Sequence, residues 1–243
     1  MNQALSGKRA LITGGSRGIG RAIAFGLARE GAQVAIGYIH NDVRAEEVVH
    51  AIEAQGSRAV AVKADLARAA DVERLFDETE RRIGRLDVVV ASAADIMVKP
   101  LVECTEADYD RIFGLNTKGL FLTLQQAAKR LNDGGRIIVI STGGTRMFFP
   151  DQSLYLGSKG AAEQFVRCLA WELAPRGITV NAVSPGPTET DMMQDRYRDR
   201  AAAMSPFNRI GEPQDIADVA VFLASDAGRW VTGQNIGAGG GAF

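Results

Sequence analysis

The chain has 243 residues, with 28 Lys plus Arg against 29 Asp plus Glu and a net charge of -1. That balance excludes the basic face that a nucleic-acid or membrane-surface binder needs, and no apolar run reaches the roughly 18 residues that would span a bilayer. One domain over 1–243 is expected at this length, and the one compositional excess is glycine, 27 residues, or about 11% against an average near 7%.

In chain order, Arg9–Thr13, Gln33–Tyr38, Arg58–Lys63, Leu86–Ala91, Arg136–Ser141 and Ile178–Val183 read as strands. Several are almost continuously apolar, as strands buried on both faces should be. Amphipathic stretches at about 18–30, 42–55, 70–83, 105–131 (broken near Gly114), 153–174 and 213–224 read as helices between and after them. Gly31, Gly56, Gly84 and Gly177 follow helices, where a left-handed residue ends the turn. The alternation predicts an α/β fold: one doubly wound parallel sheet of about seven strands with helices on both faces and ligands at the strands' carboxyl ends. The charged, methionine-bearing stretch 187–210 is long for a connection and reads as a substrate lid.

Cys104 and Cys168 form no CxxC pair, and His40 and His50 are isolated, so neither a disulfide framework nor a metal site is expected. Both cysteines read as buried small apolar side chains in a reducing cytoplasm, and the start of the chain has no signal-peptide pattern.

Thr13-Gly14-Gly15-Ser16-Arg17-Gly18-Ile19-Gly20 leaves the first strand and opens the first helix. Glycines at that spacing let backbone approach a pyrophosphate, whose charge then meets free N–H donors at a helix N-terminus. A merely tight strand-to-helix turn is the alternative. A carboxylate ending the second strand would select NAD through the ribose 2′-hydroxyl. Here the strand ends Tyr38-Ile39-His40-Asn41, with no carboxylate before Asp42, and Arg17 adds a cation. NADP(H) is therefore preferred over NAD(H). Asp65, followed by Leu66 after the third strand, either accepts from the adenine amino group or caps the next helix.

Tyr155 and Lys159 stand four apart on one helical face. A phenol with a pKa near 10 is a poor acid or base at neutral pH until a neighbouring ammonium stabilises its anion. Ser141-Thr142 ends the preceding strand and offers a hydroxyl for a substrate oxygen.

The ordered set T-G-x-x-x-G-x-G, Asn116, strand-terminal Ser141, Tyr155-x-x-x-Lys159 and Pro185-Gly186 resembles the short-chain dehydrogenase/reductase family over essentially the whole chain. The resemblance implies a Rossmann fold and an NAD(P)-dependent oxidoreductase acting between ketone and alcohol. It implies that Tyr155 is the proton donor to the carbonyl, or acceptor in reverse, and that Lys159 lowers the tyrosine pKa and holds the nicotinamide ribose. Asn116 would keep a proton-relaying water, and Ser141 would bond the substrate oxygen. It places Gly14, Ser16, Arg17, Gly18, Ile19, Gly20, Tyr38, His40, Asn41, Asp65, Leu66 and Ser92 along the coenzyme, with Tyr155, Lys159, Pro185, Gly186, Thr188 and Thr190 around the nicotinamide.

Three departures stand out. The family's serine commonly lies 13 residues before the tyrosine, a place held here by Thr142, whereas Ser141 lies at 14. Fungal naphthol reductases of the family show the longer spacing and are similar through Tyr155-x-Gly157-Ser158-Lys159-Gly160, so Ser141 is favoured, with Thr142 the alternative. The family's Asn-Asn-Ala-Gly reads Ala91-Ser92-Ala93-Ala94, and its Asp-Gly-Gly reads Ala238-Gly239-Gly240.

Met97, Phe148, Phe149, Met192, Met193, Tyr197, Met204 and Phe207 suit a medium-sized hydrophobic, cyclic or aromatic ketone, unless half of them belong to the core or to subunit contacts. A 3-oxoacyl thioester reductase is the nearest rival, because Arg196, Arg198, Arg200 and Arg209 could rim the cleft for an acidic carrier protein. A noncatalytic NADP sensor or a methyltransferase would have no reason to keep Ser141, Tyr155, Lys159 and Asn116 together. The small-molecule ketone or alcohol is the expected partner, with no nucleic acid or membrane, in a homotetramer or homodimer.

Overall fold

The computed structural model describes residues 3–193 and 195–243; Met1, Asn2 and Gln194, the last within the expected lid, lie outside the described residues. Its frame is one sheet of seven parallel strands: β1 (Arg9–Thr13), β2 (Gln33–Tyr38), β3 (Ala59–Lys63), β4 (Val88–Ala91), β5 (Arg136–Ile140), β6 (Thr179–Pro185) and β7 (Asn235–Ala238). They lie in the order β3-β2-β1-β4-β5-β6-β7. β4, β5 and β6 are buried along their whole length, which explains their continuous apolar sequences. β7 is the strand whose residues the sequence did not single out. Asn-Ile-Gly-Ala at the sheet edge carries one large apolar side chain and has no hydrophobic run to betray it.

Helices cover both faces. On one, α1 (Gly18–Arg29), α2 (Asp42–Glu53) and α8 (Pro213–Ala224) bury Ile23, Leu27, Val48, Ile52, Ile216 and Leu223 against Ala10, Ile12, Val34 and Ile36. On the other, α3 (Ala69–Ile83), α5 (Leu120–Arg130) and α6 (Ser153–Leu173) bury Leu75, Phe76, Leu124, Ala162 and Val166 against Leu11, Ala35, Val89 and Val180. Successive residues of β1 thus serve opposite cores, as strand alternation requires. A short α7 (Arg198–Ala203) lies inside the stretch 187–210.

The stretch 105–131 is not a single helix. α4 (Glu106–Phe113) ends at Gly114, a wider π turn runs Gly114–Gly119, and α5 follows. Gly119 is forced by close approach: a Cβ there would stand 2.9 Å from the Leu66 carbonyl oxygen. Gly31, Gly56, Gly84 and Gly177 all adopt φ between +65° and +90°, as their places after helices require.

Two expectations are corrected. Cys168 is exposed and Cys104 only half-buried. Cys168 belongs to the outer stripe of α6 with Gln164, Arg167 and Trp171, so its spacing carries it away from the core. The glycines near the C-terminus also acquire a physical reason. The Phe243 ring occupies the space where side chains at Gly143 and Gly239 would stand, so only glycine admits it.

Candidate active site

The strand order reverses between β1 and β4, and the crevice at their carboxyl ends is where a doubly wound sheet binds its ligand. Thr13, the last residue of β1, accepts at Oγ1 from the N–H groups of Ser92 (3.1 Å) and Ala93 (3.3 Å), fastening the glycine turn to the segment after β4. Gly14 has φ +68°, and a Cβ on it would meet the Ala93 Cα at 2.9 Å; one on Gly20 would overlap the Gly14 carbonyl. The turn is therefore a cradle of bare backbone. α1 opens at Gly18 with no side-chain cap and no acidic residue in its first turn. The first N–H groups, around Gly18, Ile19 and Gly20, thus remain available to an anion. Ser16 is half-buried and Arg17 exposed beside them.

At the end of β2, burial together with the neighbouring Asp42 carboxylate raises the Tyr38 phenol's pKa. Asp42 also receives Lys63 Nζ at 3.0 Å, and these two partners hold its carboxyl below the usual range. Asn41, not Asp42, caps α2, accepting at Oδ1 from the Arg44 N–H at 2.9 Å. His40 is exposed. The carboxylate nearest the strand end is thus engaged, while Arg17 Nη1 (3.7 Å) and Arg44 Nη1 (2.6 Å) converge on Asp191 Oδ2. Arg44 is a second cation that the sequence reading missed; its place in the first turn of α2, three residues after Asn41, was the available signal. Asp65 accepts at Oδ1 from the Ala67 N–H at 3.0 Å, a local turn, and Leu66 is buried. Bare backbone, open helix N–H donors and paired guanidiniums together fit a dinucleotide carrying an extra phosphate.

On the catalytic side, Tyr155 and Lys159 stand one turn apart on α6. Thr142 is the hydroxyl that acts on the Tyr155 phenol, while Ser141 Oγ donates to Glu163 Oε1 at 2.8 Å. β5 ends at Ile140 and the backbone stays extended through Thr142, so these neighbouring side chains point to opposite sides. Thr142 Oγ1 also accepts from the Gly144 N–H at 3.2 Å. Lys159 is buried and its Nζ donates to the Ile140 carbonyl at 2.8 Å.

Burial raises the Tyr155 phenol above its ordinary 10.0, with the Thr142 hydrogen bond opposing the rise. Burial lowers the Lys159 ammonium to about 8, with Glu163 opposing the fall. Both groups are pushed toward their neutral forms, as desolvation dictates.

Asn116, buried in the π turn, spends both side-chain donors on protein: Nδ2 donates to the Asp95 carbonyl (2.8 Å) and to Ser158 Oγ (3.0 Å). Its Oδ1 accepts from the Asp95 N–H at 2.9 Å, and Ser158 Oγ donates to the Tyr155 carbonyl at 2.6 Å. The side chain is a tie between the segment after β4 and the helix carrying Tyr155.

The far wall begins at Pro185 and Gly186, where a Cβ on Gly186 would stand 2.8 Å from the Gly239 Cα. Thr188 Oγ1 donates to the Gly186 carbonyl at 2.9 Å, and the Thr190 methyl lies over Gly18. Of the eight apolar candidates, Phe148, Met192, Tyr197 and Phe207 are exposed, and Met97, Phe149, Met193 and Met204 half-buried. None belongs to the core. The arginine rim is partly neutralised: Arg198 pairs with Glu189 and Asp195, and Arg209 with Asp215.

Among the described residues no helix is long and apolar enough to cross a membrane, and no cluster of three or more His, Cys, Asp or Glu could hold a metal ion. A family profile described as Enoyl-(Acyl carrier protein) reductase matches residues 14–242. Versicolorin reductase 1 of Aspergillus parasiticus is 42% identical, the match covering 100% of this chain and 98% of that protein. Hydroxynaphthalene reductase-like protein Arp2 of Metarhizium brunneum is also 42% identical, over 96% of this chain and 94% of that one. The crystal structure of the angucycline C-6 ketoreductase LanV, solved with bound NADP, superposes with a TM-score of 0.95 at 42% identity, covering 98% of this chain and 96% of that chain. With the glycine cradle, the seven-stranded sheet and the Tyr155–Lys159 helix in one architecture, the chain belongs to the short-chain dehydrogenase/reductase family of oxidoreductases.

Proposed function

We propose that this protein reduces a medium-sized hydrophobic cyclic or aromatic ketone to a secondary alcohol with NADPH. The observation that carries the reading is the half-buried Tyr155, with the Thr142 hydroxyl acting on its phenol, one turn from the buried Lys159. The family relatives named for versicolorin, hydroxynaphthalene and angucycline chemistry support the substrate class, and the exposed aromatic and methionine side chains at the lid suit it.

Gly14, Gly18, Ile19, Gly20 and Ser92 would hold the coenzyme pyrophosphate, with Arg17 and Arg44 at the 2′-phosphate. Pro185, Gly186, Thr188 and Thr190 would border the nicotinamide. Bound there, NADPH supplies the hydride. Thr142 donates to the substrate oxygen, and Tyr155 delivers a proton to that oxygen as the carbonyl carbon is reduced. The raised phenol is protonated at neutral pH, the state a proton donor needs before the hydride arrives. Lys159 keeps a positive charge beside the tyrosine as it loses its proton. We assign Asn116 to the proton route from Lys159 to solvent, and to the tie described above.

The stretch 187–210 acts as the substrate lid in this reading. Trp171 and Trp230, exposed over 85% and 95% of their surfaces, support association into a homotetramer or homodimer. Two unpaired cysteines fit a cytoplasmic, reducing setting.

Steady-state assays with a ketone panel and both coenzymes test the function directly. Aromatic polycyclic ketones should be reduced with NADPH, and Tyr155→Phe should lower kcat by about 10²–10⁴-fold with NADPH affinity nearly unchanged. A higher kcat/KM on 3-oxoacyl thioesters, or an active Tyr155→Phe, would contradict the assignment.

Thr142→Val should lower kcat by about 10²-fold, the size of a lost oxyanion-type donor, whereas Ser141→Ala should stay within about threefold; the reverse order would return the role to Ser141. For the coenzyme, Arg44→Ala should weaken NADPH about tenfold relative to NADH, the worth of one charge-assisted hydrogen bond. An unchanged NADPH/NADH ratio of kcat/KM would remove Arg44 from the phosphate site.

A further inference from the structure

Glu163 takes no part in the mechanism above, yet it lies on the same stripe of α6, one turn beyond Lys159 and two beyond Tyr155. Its Oε1 accepts from Ser141 Oγ at 2.8 Å and from Thr145 Oγ1 at 2.7 Å. Those hydroxyls stand on either side of Thr142 in the turn that leaves β5. The turn also bonds within itself, the Thr145 N–H donating to the Thr142 carbonyl at 3.4 Å. One carboxylate oxygen therefore gathers the segment at two points, and the residue between them is the one turned to Tyr155.

The second observation is electrostatic. Lys159 is buried, and its contact with β5 is a neutral carbonyl, that of Ile140. The turn after β5 brings hydroxyls, and the π turn brings Asn116, all uncharged; Lys118 on that turn is exposed. Three charged side chains on neighbouring segments have other partners. Arg146 donates to the Asn235 carbonyl, Asp95 pairs with Arg111 at 3.0 Å, and Asp108 of α4 pairs with Lys99 at 2.7 Å. Among the described residues, Glu163, one turn along α6, is the charged side chain that bears on Lys159.

We propose that Glu163 is a positioning residue for the reduction: its carboxylate holds the Ser141–Thr145 turn so that Thr142 faces Tyr155, and its charge keeps the buried Lys159 ammonium protonated. This rests on the reading of Tyr155 and Lys159 as the proton-donating pair. The two parts separate by chemistry. Glutamine keeps an acceptor oxygen for the hydroxyls and loses the charge; alanine loses both; aspartate keeps the charge.

The test is the pH profile of kcat for the full-length enzyme with NADPH and its best ketone, each variant first checked by circular dichroism and NADPH affinity. Glu163→Gln should stay within about twofold of the parent at pH 6 and fall about tenfold below it at pH 8.5, as its basic limb moves to lower pH by about one unit. Glu163→Asp should bring the limb back, and Glu163→Ala should lose activity across the whole range. A Gln profile superimposable on the parent would overturn the charge role, and an Ala variant with parental kcat at pH 6 would overturn the holding role. Should Ala not fold, Gln and Asp still decide the charge role, and Ser141→Ala with Thr145→Val tests the holding role by a fall in kcat. An active Tyr155→Phe would instead sink the underlying acid assignment, whatever Glu163 does.

Discussion

A buried lysine ammonium stands one helical turn from a half-buried tyrosine at the carboxyl edge of a parallel sheet, and much of the molecule is arranged around that fact. Taking a charge out of water is costly by several kcal/mol unless partners replace the solvent. The chain supplies few: the Ile140 carbonyl at 2.8 Å and the Glu163 carboxylate one turn along the helix. The consequence is chemical. Desolvation moves Lys159 to about 8 and raises the Tyr155 phenol, so the site holds a protonated phenol beside a titratable cation.

The fold provides that edge. Seven strands buried by helices on both faces leave their carboxyl ends as the place where loops converge, and the reversal of order between β1 and β4 opens a crevice there. Thr13 ties the first loop to the fourth, Asn116 ties the fourth to the catalytic helix, and Glu163 ties that helix to the turn after β5. Residues about 20 to 80 apart in sequence are thus locked by short hydrogen bonds. Beside the glycine turn, Arg17 and Arg44 share Asp191 of the stretch 187–210, so the cations proposed for the coenzyme phosphate also touch the segment proposed as the lid.

What was legible in the sequence follows from what is local. Strands such as Arg136–Ile140 announce themselves because both faces are buried, and the Tyr155–Lys159 pair because four residues make one helical turn. β7 did not, since an edge strand with two polar or small faces has no periodic signature. Ser141 and Thr142 could not be separated by counting, because spacing fixes distance along the chain while strand alternation fixes direction. Cys168 was misplaced for the related reason that a helix four residues wide has an outside. Asp191 and Glu163 lay beyond reach because their partners stand 147 residues away in one case and 22 in the other.

The most direct measurement is an ultraviolet difference titration of the free enzyme, wild type against Tyr155→Phe, following phenolate absorbance with pH. A Tyr155 phenol raised by desolvation predicts that its phenolate signal appears only above pH 10. A Tyr155 phenolate already present at pH 7 to 8, about the neutral working range, would contradict the account at its centre.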